Sequence, residues 1–319
     1  MKLGVHLPLM EFGGEGLSRR RLMDAVDAAR ESGLAAVSTN DHFVFTTPWL
    51  DGPTALAAVI ERSGDMTLAT TISLAALRGP VSLAKTLAAL DLLSEGRLIA
   101  GVGPGSTDRD YAALGIPFEE RWKRFDESVP ILRALLRGEQ PPAGPHFAAP
   151  DRPLAPRPHR GEVPLWIGSW GSDAGLARVA RLADGWLASA YNTTPDRFGE
   201  CRERLAEALG REGRRAEGFP NAIATAWLYV TEDRAEAERV LTEVLAPMVN
   251  RPVEALRELS LPIGPAEVCA ERLRAFADAG AERVFVWPLG DDVAQLELFA
   301  GRVAPLVRTS GATQAGVNR

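Results

Sequence analysis

Asp41 and His42 form the one place in the sequence where an acidic residue and a histidine are neighbours. They follow the short apolar run Ala35–Thr39, which is typical of a buried strand. A histidine at a strand end can give or take a proton near neutral pH. A buried histidine satisfied by a backbone carbonyl fits the same pattern. We predict His42 and Asp41 as catalytic candidates.

Two glycine-rich loops follow predicted strands and run into predicted helices, so each offers free backbone amides and the positive end of a helix dipole to a phosphate. The candidate binding residues are Gly103, Gly105, Ser106 and Thr107 in the first loop and Gly168, Ser169, Trp170, Gly171 and Ser172 in the second. Either loop alone could simply be a tight strand-to-helix turn. Together, on adjacent strands, they favour an anion site. The acidic pairs Glu232-Asp233 and Asp291-Asp292 argue against phosphate after the last two strands.

Four other side chains are predicted near the same ends of the strands. Trp49, Tyr191 and Asn192 lie in segments that follow predicted strands and could shape a substrate pocket. His6, in the first strand, could point into this pocket or pack in the interior.

Several common chemistries are absent from the sequence. It has no G-x-S-x-G, H-E-x-x-H or P-loop motif. Its lysines, Lys2, Lys85 and Lys123, lie away from the predicted carboxyl ends of the strands, which excludes a Schiff-base aldolase. Asp41 is nearly alone as a strand-end carboxylate, so no metal site is expected. These features suit an enzyme whose cofactor does the chemistry.

The elements that would position these residues alternate regularly along the chain. The predicted strands are Leu3–Leu7, Ala35–Thr39, Thr67–Ala75, Arg97–Val102, Leu165–Gly168, Trp186–Ala190, Ala222–Val230 and Arg283–Trp287. Helical patterns separate them, which implies parallel strands with helical crossovers. We predict an α/β fold, a closed (β/α)8 TIM barrel, with a doubly wound open sheet as the alternative.

Composition bounds the class of protein. The 319 residues are 46% hydrophobic and 24% charged, with a net charge of −6, so neither nucleic acid nor an anionic membrane is an expected partner. No apolar run approaches the roughly 20 residues of a membrane span, and no signal peptide is recognisable. The two isolated cysteines suggest a reduced, cytoplasmic protein. We expect a single domain over residues 1–308, a proline-rich insertion over about 138–163 between strands four and five, and a flexible tail over 309–319.

A set of motifs occurs in order over about residues 1–305. They are Leu77–Val81, Leu90–Leu98, Gly101–Gly103, Arg121–Glu127, Pro164–Gly168 and Ala183–Trp186. Their types and spacing resemble the bacterial luciferase-like oxidoreductase family. The resemblance implies a TIM barrel with a flavin or deazaflavin in its mouth and a small-molecule substrate. It also implies a homodimer.

Within that family, Asp41-His42 resembles the branch that uses the deazaflavin coenzyme F420, in which the histidine lies beside the ring. By the same likeness, Thr71-Ile72 falls where that branch has a cis-peptide bulge behind the ring, and Ser73 follows it. The phosphate side would correspond to the two glycine-rich loops. Ser106 stands where the sugar-phosphate dehydrogenases of the family carry an acidic residue, so that substrate is not expected.

Three functions remain open from the sequence. The first is a coenzyme F420-dependent oxidoreductase that transfers a hydride to or from an unknown small organic substrate. The second is an FMN-dependent monooxygenase that uses reduced flavin and O2. The third is a catalytically silent flavin-binding protein.

Overall fold

The computed structural model describes residues 1–12 and 16–309. The predicted tail therefore lies outside the described residues, except for Thr309, which ends the last helix. Of the described residues, none belongs to a helix that is long and apolar enough to cross a membrane.

The described residues form nine strands, and the eight predicted ones are each found within one residue of the expected ends. They are β1 Lys2–His6, β2 Ala36–Thr39, β3 Thr67–Leu74, β4 Leu98–Gly103, β5 Leu165–Gly168, β6 Gly185–Ser189, β7 Asn221–Val230, β8 Ile263–Gly264 and β9 Arg283–Pro288. The two-residue β8 was not predicted, because two residues carry no period that a sequence pattern could reveal.

The strands close into a parallel barrel. Seven consecutive strands, β1 to β7, pair in chain order, and β9 closes the ring by pairing with both β7 and β1. β8 lies outside this ring and extends the end of β7, where Tyr229 pairs with Ile263. The prediction of a closed eight-stranded α/β barrel is confirmed, and the open-sheet alternative is wrong.

Helices surround the barrel. The α-helices are α1 Arg19–Glu31, α2 Gly52–Ala58, α3 Ala75–Arg78, α4 Pro80–Leu93, α5 Asp108–Ala113, α6 Arg121–Arg137, α7 Asp173–Leu182, α8 Pro195–Arg211, α9 Arg234–Arg239, α10 Ala246–Val249, α11 Val253–Arg257, α12 Ala266–Asp278, α13 Asp292–Leu298 and α14 Ala304–Thr309. Short π-helical stretches, Val240–Leu245 and Phe299–Val303, join α9 to α10 and α13 to α14. A 3-10 turn, Phe118–Glu120, precedes α6.

Two buried apolar clusters hold the fold together. The larger one lies between the strands and the helices. The smaller one draws side chains from different strands of the ring, including Ala36, Trp166 and Phe285, and fills the barrel interior. The barrel is therefore a packed core, and only its mouth at the carboxyl ends of the strands is left for chemistry.

The proline-rich segment 138–164 contains no helix or strand, as its prolines dictate. It is fastened to the outer helices by backbone groups. The Glu127 carboxylate accepts from the amides of His146 at 3.0 Å and Phe147 at 2.8 Å, and Asp91 accepts from the amide of His159 at 2.9 Å. The segment thus lies across α4 and α6. That it is an insertion in the family barrel stays a prediction.

Candidate active site

The carboxyl ends of the parallel strands bring most of the predicted residues to one end of the barrel. His6 ends β1, Gly103 ends β4 and Gly168 ends β5. Asp41 and His42 lie just beyond β2, as expected. Because all strands of the ring run in one direction, these positions surround a common mouth.

His42 is hydrogen-bonded to a carboxylate from another loop. Its Nδ1 lies 2.7 Å from Oδ2 of Asp110, which is in the first turn of α5. The other oxygen of Asp110 accepts from the amides of Phe43 and Val44, each at 2.8 Å. Burial raises the pKa of Asp110, but the hydrogen bonds from His42 and Val44 outweigh it and hold that pKa below its ordinary value. Asp110 is therefore a carboxylate that fixes the His42 ring.

Asp41 does not contact its neighbour His42 in this way. Its two oxygens accept from Nε and Nη2 of Arg78, at 2.6 and 2.7 Å, and one also accepts from the Leu74 amide at 3.2 Å. Arg78 bonds Asp51 as well, at the start of α2. The side chain of Asp41 is 1% exposed and that of Arg78 is 15% exposed. This buried pair ties the loop after β2 to the end of β3.

β3 contains the irregularity that the family resemblance implies. The peptide bond between Thr71 and Ile72 is cis, and the register of β3 against β4 shifts between Thr70 and Ser73. The side chain of Ile72 packs beside two glycines, one at the end of β4 and one at the end of β5. A Cβ added to Gly103 would lie 2.4 Å from Cδ1 of Ile72, and one added to Gly168 would lie 3.1 Å from its Cγ2. In its present rotamer Ile72 therefore occupies the place of a Gly103 side chain and lies in tight contact with that of Gly168.

The loop after β4 is formed around a tyrosine. Gly105 adopts a positive φ of 88°, a conformation that favours glycine, beside Tyr111 and Leu74. The Tyr111 hydroxyl donates to the Pro104 carbonyl at 2.5 Å. Ser106 is exposed, and the Thr107 side chain makes no capping hydrogen bond to α5. These two hydroxyls thus lie at the rim of the barrel mouth, and neither of them caps α5.

In the loop after β5, the serine hydroxyls are engaged in hydrogen bonds within the loop and with the helix that follows it. Ser172 caps α7 by accepting from the Gly175 amide, and the Ser169 hydroxyl accepts from the Gly171 amide at 3.3 Å. Gly171 has a φ of 89° and approaches Cys201 so closely that a Cβ would lie 2.4 Å from its Sγ. Trp170 is 54% exposed. Both serine hydroxyls are thus engaged within the loop, and phosphate binding here stays a prediction.

Aromatic rings line the side of the mouth next to His42. Trp49 lies edge-on to His42, with 4.7 Å between ring centroids, and edge-on to Trp287 at 5.9 Å. Trp287 is stacked with His6 at 3.5 Å and with Trp227 at 4.2 Å. We call His6, Trp49, Trp227 and Trp287 the aromatic wall. His6 therefore packs against Trp287 and also lies at the mouth, so both alternatives considered for it apply.

His6 is neutral. Its Nδ1 lies 2.7 Å from the Leu7 carbonyl, which makes this nitrogen the donor and leaves Nε2 unprotonated. Burial lowers the pKa of His6 to about 3, although the hydrogen bond to Leu7 acts in the opposite direction. Asn40 is close enough to influence that pKa, but its Oδ1 makes no hydrogen bond with the described residues.

Several buried polar atoms at the mouth have no hydrogen-bond partner within residues 1–12 and 16–309. They are Nε2 of His6, the indole nitrogens of Trp49, Trp227 and Trp287, the hydroxyls of Ser38, Thr39, Thr47 and Ser73, and Oδ1 of Asn40. Buried polar atoms are normally paired, so this concentration of unpaired ones makes the mouth a candidate place for a ligand or for ordered water.

Tyr191 and Asn192 are held by an arginine from beyond α10. Arg251 lies 3.8 Å from the Tyr191 ring centroid, donates to the Tyr191 carbonyl at 2.7 Å and to Oδ1 of Asn192 at 2.5 Å. The Tyr191 hydroxyl donates to the Val249 carbonyl at 3.2 Å. These contacts fix the loop after β6 and leave the two side chains with structural partners.

Sequence reasoning missed Asp110, Arg78, Trp227 and Trp287 as site residues. Asp110 is 68 residues from His42, and nothing in its local pattern separates it from an acid in a helical first turn. Trp287 could have been found, since it follows the inward-facing Phe285 by two residues in a predicted strand. Trp227 could not, because the register of β7 shifts between Ile223 and Ala226 and breaks the period of two.

The sequence model of the luciferase-like monooxygenase family matches residues 1–283 of the chain. The chain therefore belongs to this family, as its motifs indicated.

Known relatives fit this assignment. The F420-dependent glucose-6-phosphate dehydrogenase of Rhodococcus erythropolis is 26% identical over 345 residues, covering 98% of this chain and 99% of the relative. An F420-dependent secondary alcohol dehydrogenase, solved in complex with an F420-acetone adduct, has a TM-score of 0.84 at 19% identity, covering 96% of this chain and 99% of that one. The oxygenating constituent of 3,6-diketocamphane monooxygenase from Pseudomonas putida, in complex with FMN, has a TM-score of 0.73 at 18% identity, covering 96% and 98%. These relatives are oxidoreductases.

Proposed function

We propose that this protein is a coenzyme F420-dependent oxidoreductase in which His42 moves a proton to or from a small organic substrate. The observation that carries the proposal is the His42–Asp110 pair at the barrel mouth. A histidine fixed by a buried carboxylate is the usual arrangement for an imidazole that exchanges protons during a reaction. The cofactors named for known relatives support the same reading.

The residues present fit a deazaflavin. Its ring carries hydrogen-bonding groups along one edge, and the unpaired hydroxyls of Ser38 and Ser73 offer partners for them. Ile72, which packs between two glycine positions, provides an apolar surface behind the proposed ring position. The exposed Ser106 and the uncommitted Thr107 would hold the phosphate side together with the loop after β5. When bound, the deazaflavin supplies the atom that accepts or gives a hydride.

The chain's own residues handle the proton. Because Asp110 holds Nδ1 of His42, Nε2 is the nitrogen left to exchange a proton with the substrate. As His42 becomes positively charged, the neighbouring carboxylate stabilises it. In this proposal Asp41 is a positioning residue, since its oxygens are occupied by Arg78 and the Leu74 amide.

An FMN-dependent monooxygenase is the second candidate. One observation favours it, because the buried rings of Trp227 and Trp287 would keep water away from a reactive flavin-oxygen species. A silent flavin-binding protein is the third. It would have no use for an imidazole fixed by a buried carboxylate.

The candidates can be separated by titrating the purified protein with oxidised F420 and with FMN. Binding is monitored through the quenching of tryptophan fluorescence. We expect micromolar binding of F420 and at least tenfold weaker binding of FMN. The reverse order would replace the proposal by the monooxygenase. His42→Ala should leave F420 binding within about twofold while abolishing F420 reduction by any alcohol that the wild-type protein oxidises. Unchanged turnover in this variant would remove His42 from the reaction.

A further inference from the structure

The aromatic wall is placed to receive part of a substrate. Trp49 contacts both His42 and Trp287, so the wall is continuous with the proton-transferring group. Trp227 and Trp287 are 4% and 2% exposed, and His6 is 3% exposed. The wall is therefore buried next to the group that is proposed to transfer the proton.

The wall presents unpaired hydrogen-bonding atoms of both kinds. The indole nitrogens of Trp49, Trp227 and Trp287 are donors, and Nε2 of His6 is an acceptor; none of these four atoms has a partner in the described part of the chain. Since His6 and Trp227 are both stacked with Trp287, much of the ring surface is already covered. The N–H groups are what remains for a ligand, and a ligand oxygen would satisfy them.

The charges around the mouth argue against an anionic substrate. Arg78 is neutralised by Asp41 and Asp51, and Arg21 is paired with Asp292 at 2.6 Å. Arg251 is engaged by the Tyr191 carbonyl and by Asn192. A carboxylate or phosphate placed on the aromatic wall would lose its hydration without gaining a free cation from these groups.

We infer that the aromatic wall is a substrate subsite for an uncharged, largely apolar hydroxy or keto compound that carries a second oxygen away from the reacting carbon. The second oxygen accepts from the indole N–H groups, and where it is a hydroxyl, it donates to Nε2 of His6. The binding subsite is independent of the proposed function, and only the reaction of the bound compound rests on it. In that reaction the carbinol C–H bond would break and its hydride would be accepted by oxidised F420, which is thereby reduced, while the hydroxyl proton would pass to His42 and the C=O bond would form.

Binding can be tested without the cofactor. The seven tryptophans, labelled with 15N at the indole, give separate N–H resonances, and the probes are 1,4-cyclohexanediol, cyclohexanol and cyclohexanecarboxylate. We expect the diol to shift the resonances of Trp227 and Trp287. The resonance of Trp186, which already donates to the Ser169 carbonyl at 3.0 Å, should stay in place as an internal control. The carboxylate should bind at least tenfold more weakly than the diol.

Trp287→Phe removes the N–H and keeps a ring in the stack. It should weaken binding of the diol roughly fivefold to tenfold, as expected for one hydrogen bond, and leave binding of cyclohexanol within twofold. Trp227→Phe provides the same comparison if the first variant melts at a much lower temperature. Equal binding of the carboxylate, unshifted wall resonances, or no binding of the diol would each overturn the subsite. If the wall responds to the diol while F420 fails to bind, the proposed function is wrong and the subsite stands.

Discussion

Nδ1 of His42 lies 2.7 Å from Oδ2 of Asp110, although 68 residues separate them in sequence. The same carboxylate accepts from the amides of Phe43 and Val44, so Asp110 orders both the imidazole and the chain that carries it. One buried acid thus sets the position and the tautomer of the proposed proton-transferring group.

Asp110→Asn should lower turnover. Oδ1 of asparagine can still accept from the two amides, but its NH2 group would donate to Nδ1 of His42 and move the ring proton to Nε2. We expect kcat to fall on the order of 10²-fold with KM nearly unchanged, measured with an alcohol that reduces F420 in the wild-type protein. Asp108→Asn, an exposed acid in the same helix turn, is the control and should have wild-type kcat. Equal losses in both variants would mean that Asp110 acts only through α5.

The fold could be predicted from the sequence because its signals are local. The apolar runs, the caps such as Ser18 and Ser172, and the glycines that end helices each act within a few residues. The alternation of strand and helix then leaves few topologies. β8 escaped prediction because its pairing with the end of β7 depends on tertiary position alone.

The candidate site could be predicted only in part. Because Asp41 precedes His42 in sequence, it was the predicted partner of that histidine. In the folded barrel His42 is hydrogen-bonded to Asp110 instead, and Asp41 is hydrogen-bonded to Arg78. These pairings arise between loops of different strands, and no periodic pattern encodes them. Gly103 was predicted to contact phosphate, which stays a prediction; what the structure shows is that Ile72 packs against it, where a Cβ would lie 2.4 Å from Cδ1 of Ile72.

Arg78→Ala should strongly destabilise the protein. It would leave the buried carboxylate of Asp41 without its bidentate partner, which costs about 3–5 kcal/mol in comparable buried pairs. The free energy of unfolding, from urea denaturation, measures this. Arg62→Ala removes the half-exposed partner of Asp27 and should cost at most about 1 kcal/mol. Similar losses in the two variants would show that the Asp41 pair is no more than a surface contact.

Gly103→Ala should be destabilising through a clash with one methyl group. Its Cβ would lie 2.4 Å from Cδ1 of Ile72, and overpacking of this kind costs about 1–3 kcal/mol. Ile72→Val removes Cδ1, so the double variant should be more stable than the sum of the two single changes predicts. Gly210→Ala, with open space around its Cβ at the exposed end of α8, should raise the free energy of unfolding slightly. Strictly additive effects in the double-mutant cycle would contradict the contact.

His6 should make stability sensitive to mild acid. Burial lowers the pKa of His6 to about 3, whereas an exposed histidine has a pKa of about 6.5, so the unfolded chain binds a proton between these pH values and the folded protein does not. The contribution of His6 is complete above pH 6.5 and is lost as the pH falls towards 3. Between pH 7 and pH 5 this amounts to about 2 kcal/mol in the free energy of unfolding.

His6→Phe, which keeps an aromatic ring beside Trp287, should lose that part of the pH dependence. Urea denaturation at pH 7 and pH 5 gives the difference within each variant, so a change in overall stability does not affect the comparison. His159→Asn changes an exposed histidine and should retain the wild-type difference. If His6→Phe loses as much stability at pH 5 as the wild-type protein, His6 is protonated in the folded state. At pH 5 it would then present a donor, and its Nε2 would be an acceptor for the substrate only at higher pH.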